Sequence, residues 1–259
     1  MPIDFHHEDN GTTYTARDAD ASWMDFIQSH VEVSGKRAAD IGCGGGIYTR
    51  ALVKLGAAQV TAVDFSAAML AGASALCRDV EHAVFQQGEA YNTGLAGEAF
   101  ELVLERALIH HVDDLERCFR EANRILKCGG MLIVQDRTPQ DCLLPGDEHH
   151  LRGYFFEKYP ELAAAERSRR HAAEAVHAAL DSSGFAAVRE VQFWETRRDY
   201  ADWAALQTDL AQRTGRSILH ELTDEELSGL IAFIGGKLES SPAPIVEKDR
   251  WTLWFAVKR

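Results

Sequence analysis

Nowhere does the 259-residue sequence hold an apolar run approaching the ~20 residues that a bilayer-crossing helix needs, so no helical membrane span is expected. The first residues, Met1-Pro-Ile-Asp-Phe-His-His-Glu-Asp, are acidic, lack an apolar core and do not read as a secretory signal. Cysteine is sparse and unpatterned. Cys43, Cys77, Cys118, Cys128 and Cys142 form an odd set without C-x-x-C spacing, which speaks against a disulfide framework and predicts free thiols in a reducing compartment, the cytoplasm. Positive charge is also short: 27 Lys and Arg against 40 Asp and Glu leave a formal charge of -13. A nucleic-acid partner normally demands a basic surface, so none is expected, although the total does not describe local patches. Internal repeats and low-complexity tracts are missing, and Pro242-Ala-Pro244 marks only a local loop. The pairs His6-His7 and His149-His150 lack carboxylate or cysteine companions at zinc-ligand spacing, so they read as solvated loops and no metal site is expected.

What is present is an ordinary globular composition, 46% hydrophobic and 26% charged, enough for one large α/β domain with a sizeable core. A helix is expected from about Asp18, with Trp23, Phe26, Ile27 and Val31 on its apolar face. Strands are expected at Arg37–Ile41, Val60–Asp64, Ala83–Gln86, Phe100–Leu104 and Met131–Gln135. Helices are expected over Ile47–Leu55, after an N-cap at Ser66, and over Leu115–Leu126, where Gly129-Gly130 breaks the chain. Strands separated by helices of this length imply parallel pairing in a doubly wound sheet, with ligands at the carboxyl ends of the strands. Leu143–Gly153 reads as loop, Phe156–Leu180 as helical, Val188–Phe193 as a strand, and Trp251–Val257 as the last strand after about fifty mostly helical residues.

The strongest local signal is Asp40-Ile-Gly42-Cys-Gly44-Gly-Gly46 between a strand and a helix. Side chains there would block the approach of a ligand to the backbone. Asp64, ending the second strand, can accept hydrogen bonds from ribose hydroxyls and so points to a nucleoside. A dinucleotide fingerprint starting at Gly42 would place a small residue at position 47, where Ile47 stands, and this argues against a nicotinamide-dependent oxidoreductase. The alternation Asp-x-Gly-x-Gly-x-Gly instead resembles motif I of the class I S-adenosylmethionine-dependent methyltransferases. Val63-Asp-Phe-Ser-Ala-Ala-Met-Leu70, Gln87-Gly-Glu-Ala90, Phe100-Glu-Leu-Val-Leu-Glu-Arg-Ala-Leu-Ile-His-His111 and Leu126-Lys-Cys-Gly-Gly-Met-Leu132 resemble later motifs of that family, in its order, over roughly residues 36 to 137. At motif level the likeness is to ubiquinone-biosynthesis-type enzymes.

The resemblance implies a Rossmann-like, mostly parallel seven-stranded sheet with an antiparallel last strand, and S-adenosyl-L-methionine as cofactor. It implies that Asp40 and the turn of Gly42, Cys43, Gly44 and Gly46 hold the methionine part, with Asp40 near the ammonium. Asp64 would bind the ribose diol, and Phe65 and Met69 would flank the nucleoside. Within the Gly88-Glu89-Ala90 segment, Glu89 would accept from the adenine amino group and the Ala90 backbone N–H would donate to the ring. Arg106 and the backbone at Glu105 would line the methionine end. The Glu105 side chain either reaches the acceptor or points elsewhere, and Cys128 stands where proline is usual. Tyr14 and Arg17 would close over the cofactor as part of an N-terminal lid in residues 1–33.

A sulfonium methyl is already activated, so its transfer is an in-line displacement governed by distance and alignment. Where an acceptor must lose a proton, His110 and His111 are the candidate bases, unless one of them merely packs against a helix. In this fold the long connection between strands six and seven, about Arg197 to Ile245, is expected to form a helical cap over an acceptor pocket. Tyr200, Trp203, Leu206 and Leu210 would hold it down as a core stripe or form a substrate wall; Arg213, Arg216 and His220 are either an anion site or surface charge. The chain has no Pro-Pro, and therefore no Asn/Asp-Pro-Pro-Tyr/Phe motif of the kind that holds a nucleic-acid base. The expected activity is methyl transfer to a small molecule; the alternative is a cofactor-binding sensor or assembly protein without turnover.

Overall fold

The computed structural model describes residues 19–239 and 243–259. Seven strands run in the order β3-β2-β1-β4-β5-β7-β6: β1 Arg37–Ile41, β2 Gln59–Asp64, β3 Ala83–Gln87, β4 Phe100–Arg106, β5 Leu126–Asp136, β6 Phe185–Tyr200 and β7 Ile245–Lys258. β1 to β5 pair in parallel, and β7 lies antiparallel on β5 with Asp136 opposite Thr252 and Met131 opposite Val257. This is the doubly wound, mostly parallel sheet expected from the sequence. Its central strands are almost continuously apolar because helices cover both faces. Leu102, Val103 and Leu104 are all fully buried.

Ten helices accompany the strands among the described residues: α1 Ala21–His30, α2 Ile47–Lys54, α3 Ala67–Leu76, α4 Leu115–Ile125, α5 Pro139–Cys142, α6 Arg152–Lys158, α7 Leu162–Ser168, α8 Ala173–Ser182, α9 Trp203–Ala211 and α10 Asp224–Lys237. Six of them, α1, α3, α4, α5, α9 and α10, start at a side-chain cap. Asp20, Ser66 and Asp114 accept hydrogen bonds from the backbone N–H of Ser22, Met69 and Arg117. In α4, Leu115, Cys118, Phe119, Ala122 and Ile125 recur at helical spacing and are buried, each large side chain contributing about 1.5–3 kcal/mol.

Several boundaries differ from expectation. α4 has already ended at Ile125, and β5 starts at Leu126, so Gly129-Gly130 lies inside a strand rather than breaking a helix. The glycine pair absorbs an irregularity, because the β4–β5 register shifts between Phe100 and Leu102. Helical material is also present from Arg152, but as three short helices rather than one. β6 and β7 are each longer than the runs read as strands, which shortens the connection between them to 201–244.

By contacts the described chain divides into two compact units, one of residues 19–136, 171–192 and 252–259, the other of 137–170 and 193–251. The second has its own apolar core, in which Tyr200, Leu206 and Leu210 pack with Ile218, Leu230 and Ile234, so the helical stripe is core. Arg216 is not surface charge. It is 1% exposed and donates to Asp209 Oδ2 at 2.5 Å, Glu247 Oε2 at 2.6 Å and the Tyr200 hydroxyl at 3.0 Å. Arg213 donates to Asp224 and to the carbonyls of Leu219 and Leu222, at a helix–turn junction of the same unit. Burial and the neighbouring Arg213 push the His220 pKa down.

Candidate functional site

The sequence-predicted residues that the structure describes come together at the carboxyl ends of β1 to β4, all within the first unit. After β1 the chain turns through Gly42, whose N–H and that of Cys43 both donate to the Val63 carbonyl of β2 at 2.8 and 3.0 Å. Gly46 has φ +81 and would place a Cβ 2.9 Å from that of Ala73, so no larger residue fits at this start of α2. Gly44 by contrast faces open space, with nothing within 4 Å of the point a Cβ would occupy, and its N–H donates to Asp64 Oδ2 at 2.9 Å. Asp64 Oδ1 accepts from Ser66 N–H at 2.9 Å, so the carboxylate ties the glycine turn to the N-cap of α3. Burial raises the Asp64 pKa against these backbone donors. Each carboxylate oxygen keeps lone-pair capacity for a hydroxyl donor.

Asp40 lies on the same edge, 2% exposed, and accepts from Thr49 Oγ1 at 2.6 Å. Burial pushes its pKa up to about 6, opposed by the Thr49 hydrogen bond; Asp64 raises it further and Arg106 lowers it. Arg106 ends β4 with its guanidinium 3.8 Å from the centroid of the Tyr48 ring. Cys43 is buried, and burial beside Asp40 and Asp64 drives its thiol pKa far up, so it serves the turn rather than acting as a nucleophile. Phe65 is 45% exposed, a large apolar face at the site, whereas Met69 is buried. Gly88 approaches the Thr93 carbonyl too closely for a side chain, and Glu89 exchanges both backbone hydrogen bonds with Asn92, which sets Ala90 at the tip of a tight turn. The Glu89 side chain is exposed.

Of the two alternatives for the Glu105 side chain, the structure takes the second. The side chain is fully buried on the α4 face of the sheet, where the Cys118 thiol donates to it at 3.6 Å. Burial raises its pKa to about 8. It therefore points away from the ligand edge, and only its backbone belongs there. Tyr14 and Arg17 lie outside the described residues.

His110 and His111 sit in a 3-10 turn, Ile109–His111, held from outside by His171 Nε2, which lies 3.0 and 3.1 Å from the carbonyls of Ile109 and Val112. His110 Nδ1 lies 2.8 Å from Asp136 Oδ2 and 3.0 Å from Oδ1, and the His110 backbone N–H points to the same carboxylate. His111 packs on the His110 ring, centroids 4.0 Å apart. Neither Asp136 nor Thr49 stands out in the sequence as a site residue. Asp136 does carry a signal, because it is an acidic residue ending a buried strand, one position beyond the expected limit. Among the described residues no group of three or more His, Cys, Asp or Glu converges on a metal position.

The donor set fits one kind of ligand well: a buried carboxylate for an ammonium, a second for a diol, an aromatic face for a base, and an open glycine turn between them. Residues 39–134 match the family described as a methyltransferase domain. The ubiquinone biosynthesis O-methyltransferase of Methylococcus capsulatus is 36% identical over 113 residues, 42% of this chain and 47% of that protein. The chain thus spans about half the length of that curated relative. In structure it is similar to a protein of Anabaena variabilis assigned as a methyltransferase of an antibiotic biosynthesis pathway, with TM-score 0.69, 20% identity, and coverage of 92% of this chain and 98% of that one. It is also similar to a phosphoethanolamine N-methyltransferase of Haemonchus contortus, solved with phosphomonomethylethanolamine and S-adenosylhomocysteine, at TM-score 0.61 and 18% identity, covering 99% of this chain and 60% of that one. At such identities the structural likeness speaks for the fold alone.

Proposed function

We propose, starting from a core that belongs to the class I S-adenosylmethionine-dependent methyltransferases, that this protein transfers a methyl group to a small-molecule acceptor. The observation that carries the reading is the joining of Asp40, the Gly42–Gly46 turn and Asp64 at adjacent strand ends. S-Adenosylmethionine supplies a methyl group on a sulfonium, electrophilic without further activation. Asp40 takes the ammonium, Asp64 the ribose hydroxyls, Phe65 and Met69 the faces of the base, and Glu89 with the Ala90 N–H its polar edge. Arg106 lines the amino-acid end, held by its stacking on Tyr48.

His110 is the base for an acceptor that must lose a proton. A Nδ1–H donated to Asp136 fixes the tautomer and leaves the basic lone pair on Nε2, while the carboxylate stabilises the imidazolium that forms. His111 supports the ring. Five unpaired cysteines, four of them buried, agree with a reducing compartment such as the cytoplasm. No helix of the described residues is long and apolar enough to cross a membrane.

Calorimetric titration with S-adenosylmethionine, S-adenosylhomocysteine and NAD tests the reading. Saturable binding of both sulfur ligands and none of NAD is expected. Binding of neither by folded, ligand-free protein refutes it.

A further inference from the structure

In the unit formed by residues 137–170 and 193–251, two neighbouring buried side chains lack hydrogen-bond partners. His150 is 1% exposed, and neither ring nitrogen has a partner at full hydrogen-bond geometry, the Lys248 backbone making only a loose contact with the ring. Arg152, just inside the start of α6, makes only loose charge contacts: Nη1 lies 3.6 Å from Glu166 Oε1, and Nε lies 3.5 Å from Asp249 Oδ1 without hydrogen-bond geometry. Asp249 is shared, with Arg137 Nη1 3.2 Å away, so its oxygens cannot serve every donor around it. Buried polar groups are nearly always paired, and a cluster left short of acceptors calls for one from outside.

The surroundings tell what kind of acceptor. Trp194 meets the His150 ring edge to face at 5.4 Å and is itself 42% exposed, so the buried imidazole adjoins a wetted aromatic surface. The Arg137 guanidinium lies 4.6 Å from the Trp251 ring centroid. A guanidinium fork and an imidazole N–H beside an indole suit a flat apolar body carrying an oxyanion.

We propose that His150 and Arg152, with Trp194 as the apolar wall, form a binding site for a carboxylate or phosphate group on a small molecule with a flat apolar body. The oxyanion site lies wholly within this unit and does not rest on the methyl-transfer reading. The anion-site candidates of the sequence, Arg213 and Arg216, instead donate to partners within the fold.

The test is a tryptophan-fluorescence and calorimetric titration of the full chain with benzoate, phenyl phosphate and, as neutral control, benzyl alcohol. S-Adenosylhomocysteine affinity is measured on the same samples. One anion should saturate at least tenfold more tightly than benzyl alcohol, and the anion that does so distinguishes carboxylate from phosphate. His150→Leu and Arg152→Gln should each weaken it at least tenfold while S-adenosylhomocysteine affinity stays unchanged, and Trp194→Phe should remove the fluorescence response. Should Arg152→Gln fail to fold, His150→Leu decides, since leucine leaves no polar group to orphan. No preference for either anion, or anion affinity unchanged in His150→Leu, overturns the proposal, whatever the sulfur ligand does. Anion binding without S-adenosylhomocysteine binding keeps the oxyanion site and removes the methyl-transfer reading.

Discussion

Replacing Glu105 by glutamine should make the protein less sensitive to alkali. The carboxyl is fully buried against α4, and burial raises its pKa from 4.5 to about 8. In the unfolded chain it ionises above about pH 4.5, so between 4.5 and 8 the native state holds a proton that the unfolded state has lost. Stability is therefore greatest below pH 4.5, falls as pH rises through 8, and stays low above. At about 1.4 kcal/mol per unit, the full fall is on the order of 5 kcal/mol. Between pH 5 and pH 9 the portion realised is about 4 kcal/mol. Glutamine is neutral throughout, so Glu105→Gln removes this slope. Its carboxamide N–H has no acceptor in the apolar surroundings, a pH-independent cost of about 1–3 kcal/mol. The variant should thus be equal to or weaker than the parent at pH 5 and stronger at pH 9. Asp40 titrates in both proteins and cancels in the difference. Urea unfolding of both at pH 5, 7 and 9 measures this directly. Parallel stability curves, differing by a constant within about 1 kcal/mol, would refute a buried titrating Glu105.

Asp64→Ala should weaken S-adenosylmethionine binding by about 1.5–3 kcal/mol per ribose hydrogen bond lost, measured by calorimetry; unchanged affinity would remove Asp64 from the ribose site. Because burial holds the Asp40 pKa near 6, affinity for a ligand ammonium should be steady above pH 7 and decline as pH falls through 6, and Asp40→Asn should be flat over that range. Asp136→Asn should leave S-adenosylhomocysteine affinity intact and lower turnover of a hydroxyl acceptor by about 10²–10⁴-fold; full activity would show that His110 needs no carboxylate. His150→Leu should raise thermal stability, since two orphaned nitrogens are removed for about 1–3 kcal/mol, and a lower Tm would mean that the imidazole is satisfied after all.

The cofactor half of the chain was legible because its signals are local. β1 matches the expected Arg37–Ile41 residue for residue, and Ser66 caps α3 as read, since a buried strand, a glycine turn and a cap lie within a few positions of each other. β6 was legible only in its middle. Its 16 residues include Arg189, Glu190, Glu195, Arg197 and Arg198, and a strand at the end of the sheet order leaves no apolar run to follow. β5 was shortened because a glycine pair normally ends an element, whereas here it accommodates a register shift. Long-range pairing hid the rest. Arg216 is buried by Asp209, 7 positions away, and Glu247, 31 away, and nothing next to it in the sequence distinguishes it from the more exposed Arg213. The orientation of Glu105 follows from strand alternation, which fixes that it faces α4 but not that a carboxyl would be tolerated there.

Among the described residues the chain crosses four times between its two units, which bears on how it could be shortened. Every residue proposed to face the cofactor lies before Arg137, so truncation after Asp136 looks harmless on a linear map. Such a fragment would lack Thr252–Val257, which hydrogen-bond along β5 from Met131 to Asp136, and α8, which closes the apolar layer over α4. β5 would become a bare edge of largely apolar residues, a template for pairing with other copies. The smallest soluble cofactor-binding piece therefore has to be spliced from three stretches of sequence, and deletion of the second unit calls for two designed joints, 136 to 171 and 192 to 252, rather than a stop codon.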